Sequence, residues 1–154
     1  MWGIMENFAF EVVETARLIR REANKRAAVL GATKAQWRVL ARLSHTGDAV
    51  RQIELADALD VEPITLCRMI DRLEESELVE RRRDPADRRA WQLFLTDKSK
   101  PMLDDLRIMA EDLFEQALIG MSLPARDALN ESLSLIRANL ISLPAPRTTE
   151  AANG

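Results

Sequence analysis

Residues 52–95 constrain the fold most, because four short segments with regular apolar spacing follow one another there with almost no connecting chain. The first segment, residues 52–59, has the three- and four-residue spacing of a short helix. Three of its side chains are predicted to face inward: Ile53, Ala56 and Leu59. A tight turn leads to Pro63, which a helix tolerates in its first turn because the missing N–H has no partner there. Two short helices joined in this way predict a helix-turn-helix.

The second helix of the pair is predicted to run to about Ser76 and to bury one apolar face. That face consists of Leu66, Met69, Ile70 and Leu73. Residues 78–83 and 90–95 then have the composition of two strands. The polar residues 84–89 between them are too few for anything but a hairpin tip. A hairpin directly after a helix-turn-helix predicts a wing.

Long amphipathic helices flank this region. Residues 7–30 carry apolar side chains in steps of three and four, and Gly31 is a typical helix end. Thr33 and Gln36 predict a capping box that opens the next helix. The inward face of that helix is predicted to be Trp37, Leu40 and Leu43.

Two further helices are predicted after the hairpin. Thr96 is expected to cap the first, which continues to about Ile119, and Ser122 is expected to cap the second. Pro101 should remove a hydrogen bond from the first turns or bend them. The last helix is predicted to turn four side chains inward: Leu129, Leu133, Ile136 and Leu140.

The charge distribution bears on the partner. The net charge of −3 and the sequence pI of about 5.3 argue against nucleic acid. The hairpin differs from this average, since residues 79–90 hold three acidic residues and five arginines: Arg81, Arg82, Arg83, Arg88 and Arg89. A local positive patch on an acidic body is typical of a protein that binds phosphates at one place only.

Other features exclude several classes of function. No apolar run approaches the roughly 18 residues of a transmembrane helix, and no secretory signal is recognisable, so we expect a cytoplasmic protein without a membrane partner. The single histidine, His45, has no Cys or His at ligand spacing. The single cysteine, Cys67, is interpreted as a small apolar residue rather than a redox switch. We therefore expect no enzyme, no metal and no cofactor.

Three motifs resemble the MarR family of bacterial regulators: D-R-L-E at 71–74, L-V-E-R at 78–81 and D-x-x-D-R-R at 84–89. Residues 98–102 are similar to the SlyA-like branch, and the likeness spans about residues 7–141. It implies a mainly α fold, a winged helix-turn-helix with long N- and C-terminal dimerisation helices and a small β-hairpin wing. It also implies a homodimer on double-stranded DNA with a pseudo-palindromic operator.

The domain organisation follows from this likeness. Residues 7–32 and 97–141 are predicted to form a helical dimerisation region, and residues 33–96 a winged helix-turn-helix DNA-binding lobe. The three flanking helices carry more apolar face than one such lobe covers, which also favours a homodimer. The composition of residues 143–154 is typical of a disordered tail.

The resemblance implies a recognition helix in the major groove, with Ile64, Thr65 and Arg68 on its base-facing side. Helical spacing directs Arg68 away from the buried face, where it either donates two bonds to guanine or clamps a phosphate. For Arg72 the phosphate is favoured. Ile64 either touches a thymine methyl group or packs against the wing, and packing is favoured.

The resemblance further places Arg88 at the wing tip, in the minor groove, with Asp87 as the carboxylate that steadies it. Arg89 belongs to the same DNA-binding group. A rival hypothesis is a winged-helix protein–protein interaction module without DNA binding. Such a module would have no reason to keep residues 68, 88 and 89 charged.

The resemblance also implies a small aromatic or phenolic ligand as the effector, whose binding is expected to release a repressor from DNA. Trp37 supplies a flat apolar wall and Arg17 a partner for a carboxylate. The alternative is that Trp37 is a core residue and Arg17 is solvated, and this alternative is stronger for Trp37.

Two positions depart from the family pattern, which has glycine in the helix-turn-helix turn and after the recognition helix. Here the residues are Asp60 and Glu77. If both adopt a positive φ, each costs on the order of 1 kcal/mol.

Overall fold

The computed structural model describes residues 3–47 and 49–145, which fold into six α-helices and three strands. In chain order the elements are α1 (Ile4–Val29), α2 (Lys34–Thr46), β1 (Val50–Arg51), α3 (Gln52–Ala58), α4 (Pro63–Glu75), β2 (Val79–Arg83), β3 (Trp91–Leu95), α5 (Lys100–Ala117) and α6 (Leu123–Ile141). The chain divides after Phe114 into two compact units. Of the predicted tail, residues 146–154 lie outside the described residues.

The three strands form an antiparallel sheet in the order β1-β3-β2. β2 and β3 are the arms of the wing, with Arg81 opposite Leu93 and Arg83 opposite Trp91. Both predicted strands are therefore confirmed to within one residue. β1 pairs with the other side of β3 and was not predicted, because two residues are too few to show an alternating pattern. The predicted fold class, a mainly α winged helix-turn-helix, is confirmed.

The core of the first unit lies between α2, α3, α4 and the sheet, and the end of α1 and the start of α5 also reach it. Its fully buried side chains include Leu40, Leu43, Leu66, Ile70, Leu73 and Leu93. The prediction for α3 was wrong at one position: Ile53 is 59% exposed, whereas Leu55 is buried. Leu55 lies about 200° around the helix from Ile53, so the two side chains cannot share one face.

The ends of the helices follow the sequence signals at two of three sites. Thr33 and Gln36 form the predicted capping box, and the Ser122 hydroxyl caps α6. The prediction for Thr96 was wrong, because its hydroxyl donates to the Glu77 carbonyl at 2.6 Å and does not cap a helix. A three-residue 3-10 turn precedes α5 instead.

The sequence drew attention to three backbone positions, one on each side of α4 and one in the first turn of α5. Asp60 has φ 51° and Glu77 has φ 57°, so both non-glycine residues adopt the left-handed conformation that the sequence suggested. The strain is on the order of 1 kcal/mol at each. Pro101 is the second residue of α5, where its missing N–H has no intrahelical partner to lose. The prediction that it removes a hydrogen bond was therefore wrong.

Two apolar helix faces remain largely exposed among the described residues. α1 buries Ala23 and Ala27, but three other residues of the apolar series predicted within 7–30 remain 37–45% exposed: Phe8, Val12 and Ile19. α6, every residue of which the structure describes, has no buried residue, and Leu140 on its predicted face is 60% exposed. Among the described ranges no helix is both long and apolar enough to cross a membrane.

Candidate nucleic-acid interface

α4 presents one face to the core and the other to solvent. Its N-terminus has no side-chain cap, and Pro63 stands in its first turn. The four residues predicted to contact DNA from this helix are all exposed: Ile64, Thr65, Arg68 and Arg72. Ile64 is 62% exposed, so the favoured interpretation that it packs against the wing was wrong.

The tip of the wing is organised by Asp84, which is only 3% exposed. Its carboxylate accepts the backbone N–H groups of Ala86, at 2.8 Å, and Asp87, at 3.3 Å, and it also accepts Nε of Arg51 at 2.7 Å. These bonds hold the pKa of Asp84 below its usual value, and the bond from the Ala86 N–H contributes most. The sequence signal was an aspartate directly before a proline in a turn, a pattern typical of a side chain that bonds the backbone two residues on.

Asp87 has a different partner from the one that the resemblance implied. Its carboxylate accepts the backbone N–H of Arg89 at 3.0 Å, and its carbonyl accepts the N–H of Ala90. The described residues show no contact between Asp87 and the guanidinium of Arg88. Asp87 therefore shapes the turn that carries Arg88 and Arg89 through bonds to the backbone, and the steadying of the Arg88 side chain stays a prediction.

Arg81 ties the base of the wing to the helix-turn-helix. Its side chain is 11% exposed and donates to Asp71 at 2.7 Å and to Glu74 at 2.6 Å, both on α4. It also donates to the side chain of Gln52 on α3 and to the carbonyl of Cys67. Burial lowers the pKa of Arg81, but the bonds to the two carboxylates outweigh it and leave the pKa raised. Arg81 was counted with the positive patch, yet it is a structural cation.

The next two arginines of β2 lie against aromatic rings of β3. The guanidinium carbon of Arg82 is 4.2 Å from the centre of the Phe94 ring, and that of Arg83 is 3.8 Å from the Trp91 ring. Arg82 also pairs with Glu80 at 3.0 Å. Cation–π contacts of this kind stiffen the wing, so these arginines also serve their own chain.

Four other arginines differ from these three. Within the described ranges, 3–47 and 49–145, the side chains of Arg68, Arg72, Arg88 and Arg89 have no ion pair, hydrogen bond or ring contact. All four are exposed. The Arg88 carbonyl accepts a bond from Arg83 at 3.0 Å, which fixes its backbone and leaves its guanidinium available.

The wing and the recognition helix meet at one groove of about 290 Å³. Pro63, at the start of α4, lines it together with Arg89 and Trp91 of the wing and Ile53 of α3. Of the residues predicted to contact DNA, Arg89 lines this groove, together with the wing-supporting Asp87. The groove reaches α4 only at Pro63, and it is not lined by Arg88 or by the four predicted residues of α4.

Of the two residues predicted for an effector pocket, Trp37 lines a groove among the described residues, and Arg17 does not line that groove. The indole N–H of Trp37 donates to Asn24 at 2.8 Å, and its ring is half-buried beside a groove of about 420 Å³. Arg20 and Arg38 line this groove, whereas Arg17 does not and forms a two-bond ion pair with Glu14. Within the groove Arg38 donates to the Leu59 carbonyl. The pKa of Arg38 is lowered, mainly by burial and then by the nearby positive charge of Arg20.

These features define the class of protein. Two short helices joined by a tight turn, followed by an antiparallel wing and packed on longer helices, are the architecture of a winged helix-turn-helix protein.

Comparison with known proteins narrows the class. The model of the MarR family matches residues 32–91. The crystal structure of the transcriptional regulator PA3341 has a TM-score of 0.79 and 33% identity, and the match covers 88% of this chain and 99% of that chain. A MarR transcriptional regulator from Methanosarcina mazei Go1 has a TM-score of 0.75 and 26% identity over 88% and 97% of the two chains. A mutant MarR from E. coli, complexed with operator DNA, shares the fold with a TM-score of 0.69 and 22% identity over 86% and 94%.

The chain belongs to the MarR family of transcriptional regulators. The family resemblance inferred from the motifs at 71–74, 78–81 and 84–89 is therefore confirmed, since all three motifs lie within the matched residues.

Proposed function

We propose that this protein is a sequence-specific, DNA-binding transcription regulator that acts as a homodimer. The observation that carries the proposal is the division among its arginines. Arg81 is bound by its own chain, whereas Arg68, Arg72, Arg88 and Arg89 have no side-chain partner among the described residues. Exposed guanidinium groups on two elements that meet at one groove suit phosphates and base edges.

The geometry supports a division of roles. The N-terminal residues of a recognition helix contact base edges in the major groove. Thr65 and Arg68 lie in the first two turns of α4 and suit this role, whereas Arg72, one turn further along, suits a phosphate. At the wing, Arg88 suits the minor groove, where its charge senses the width of the groove. Arg89 suits a contact with an adjacent phosphate.

A second copy of the chain is the proposed cover for the apolar faces that α1 and α6 leave exposed. This assigns residues 7–32 and 97–141 to dimerisation and residues 33–96 to DNA binding. A twofold dimer selects a pseudo-palindromic operator, because each protomer meets an equivalent half-site. Because its proposed partner is DNA, we propose that the protein is cytoplasmic.

Release by a small aromatic or phenolic acid is the proposed mode of regulation, with the protein acting as a repressor. The supporting observation is the groove beside Trp37, where a flat apolar ring adjoins Arg20 and Arg38. Arg20 thus replaces Arg17 as the proposed carboxylate partner. Membership of the SlyA-like branch is proposed on residues 98–102.

A protein–protein interaction module without DNA binding is the rival function. Nothing in such a module requires the tip of the wing to be fixed from within, yet Asp84 and Arg51 fix it. This observation favours DNA.

Selection of binding sites from a random pool of DNA duplexes tests the proposal. We expect enrichment of an inverted repeat whose half-site centres lie about 34–36 Å apart, one turn of the duplex. Enrichment of a single asymmetric half-site would exclude the twofold arrangement. If no duplex is enriched at low salt, the protein does not bind DNA and the interaction module is favoured.

A further inference from the structure

The exposed side of the recognition helix carries an apolar residue where polar ones are usual. Ile64 is the second residue of α4, next to Pro63, and is 62% exposed. The residues after it on the same face, Thr65 and Arg68, are polar or charged. A β-branched apolar side chain is stiff, and leaving it in water stabilises nothing within the chain.

The position of Ile64 matters more than its exposure. The first turn of a recognition helix is the part that reaches deepest toward the base edges. There the donors and acceptors of the bases call for polar side chains, with one exception, the C5-methyl group of thymine, which protrudes into the major groove and takes apolar contacts. An exposed isoleucine at this point has one complementary group on DNA.

We propose that Ile64 recognises the C5-methyl group of a thymine at a fixed position in each half-site, and so determines specificity without a hydrogen bond. The inference rests on the proposed DNA-binding function. The charges around it support DNA as the occupant: Arg68 lies one turn along the same helix, and Arg89 of the wing lines a groove with Pro63. An apolar protein partner would have to lie among these cations.

Ile53 provides a matched control. It is 59% exposed and lines the same groove as Pro63, but it stands on α3, the first helix of the pair. That helix crosses the DNA backbone and does not enter the groove. We therefore expect Ile53 to have no methyl group within reach.

The test replaces thymines by deoxyuridine, which removes only the C5-methyl group and keeps every hydrogen bond of the base pair. A duplex is first selected from a random pool with the whole chain, and each thymine is then replaced in turn. For the native protein we expect one position per half-site to lose affinity about fourfold, corresponding to roughly 0.8 kcal/mol for one buried methyl group. Replacement in both half-sites of a dimer should cost about 15-fold, the product of the two losses.

The variants assign this loss to a residue. Ile64→Ala should bind thymine and deoxyuridine duplexes equally, and Ile64→Val should retain part of the preference. Ile53→Ala should keep the full native ratio. Because both side chains are exposed, far-ultraviolet circular dichroism should show all three variants folded.

Several outcomes would overturn the inference while leaving DNA binding intact: no thymine in the selected half-site, an unchanged deoxyuridine ratio in Ile64→Ala, or loss of that ratio in Ile53→Ala. Failure to select any duplex is a different result, which overturns the proposed function as well.

Discussion

Replacing Arg81 tests how the wing is joined to the helix-turn-helix. Arg81→Met keeps the aliphatic stem and removes a guanidinium that is held by Asp71, Glu74, Gln52 and the Cys67 carbonyl. Removing one partner of a buried ion pair costs about 3–5 kcal/mol. Asp71 is 51% exposed and Glu74 is 35% exposed, so water partly solvates the carboxylates left behind. We therefore expect the free energy of unfolding to fall by about 2–3 kcal/mol.

Arg82→Met is the matched control, one residue along the same strand. Its ion pair with Glu80 is exposed on both sides, at 55% and 52%, and is worth about 0–1 kcal/mol. Its contact with the Phe94 ring adds about 0.5–1 kcal/mol. Urea unfolding followed by circular dichroism gives both values, at one protein concentration because dimerisation contributes to stability. Equal losses in the two variants, or a loss below about 1 kcal/mol for Arg81→Met, would refute the argument that Arg81 is a structural cation.

Three further predictions concern the interface, the wing and the dimer. Arg68→Ala should cost roughly 1–3 kcal/mol on the selected duplex and much less on a duplex altered at the contacted base pair; an equal loss on every duplex would identify a phosphate clamp. Because the pKa of Asp84 is lowered in the folded protein, its stabilising effect is present above the unfolded value of about 3.9 and is lost as the pH falls through the folded value. Urea unfolding from pH 5 down to pH 2.5 would compare the stability of the native protein with that of Asp84→Asn. The difference between the two should shrink on acidification, and a constant difference would contradict this. Sedimentation should show a native dimer at micromolar concentration and dissociation in Val12→Glu, whereas a stable native monomer would exclude the proposed interface.

The helices, the wing and most of the core could be predicted from the sequence because apolar periodicity records which face is buried. It failed at Ile53, since Ile53 and Leu55 both offer an apolar residue in one short helix and only packing decides between them. It also overstated burial in α1 and α6, because an apolar stripe shows that a face needs covering and not which chain covers it.

The candidate site was predictable in its positions and less so in its partners. The sequence shows that arginines cluster at the wing, but it does not show which of them find a carboxylate. Arg81 meets Asp71 and Glu74 only after the strand folds against the recognition helix. Likewise Asp84 and Asp87 are equivalent in the motif, and only the turn geometry buries one of them against Arg51.

The salt dependence of DNA binding tests the central claim most directly, that the arginines of α4 and the wing that lack internal partners are the ones that bind DNA. Affinities of the native protein, Arg72→Gln, Arg88→Gln and the control Arg82→Gln would be measured on the selected duplex at several salt concentrations. In a dimer each of the first two substitutions removes two contacts, so the slope of log K against log salt should become shallower by about 1.8. Arg82→Gln should leave the slope unchanged. Unchanged slopes for Arg72→Gln and Arg88→Gln, or an equal change for Arg82→Gln, would contradict the account.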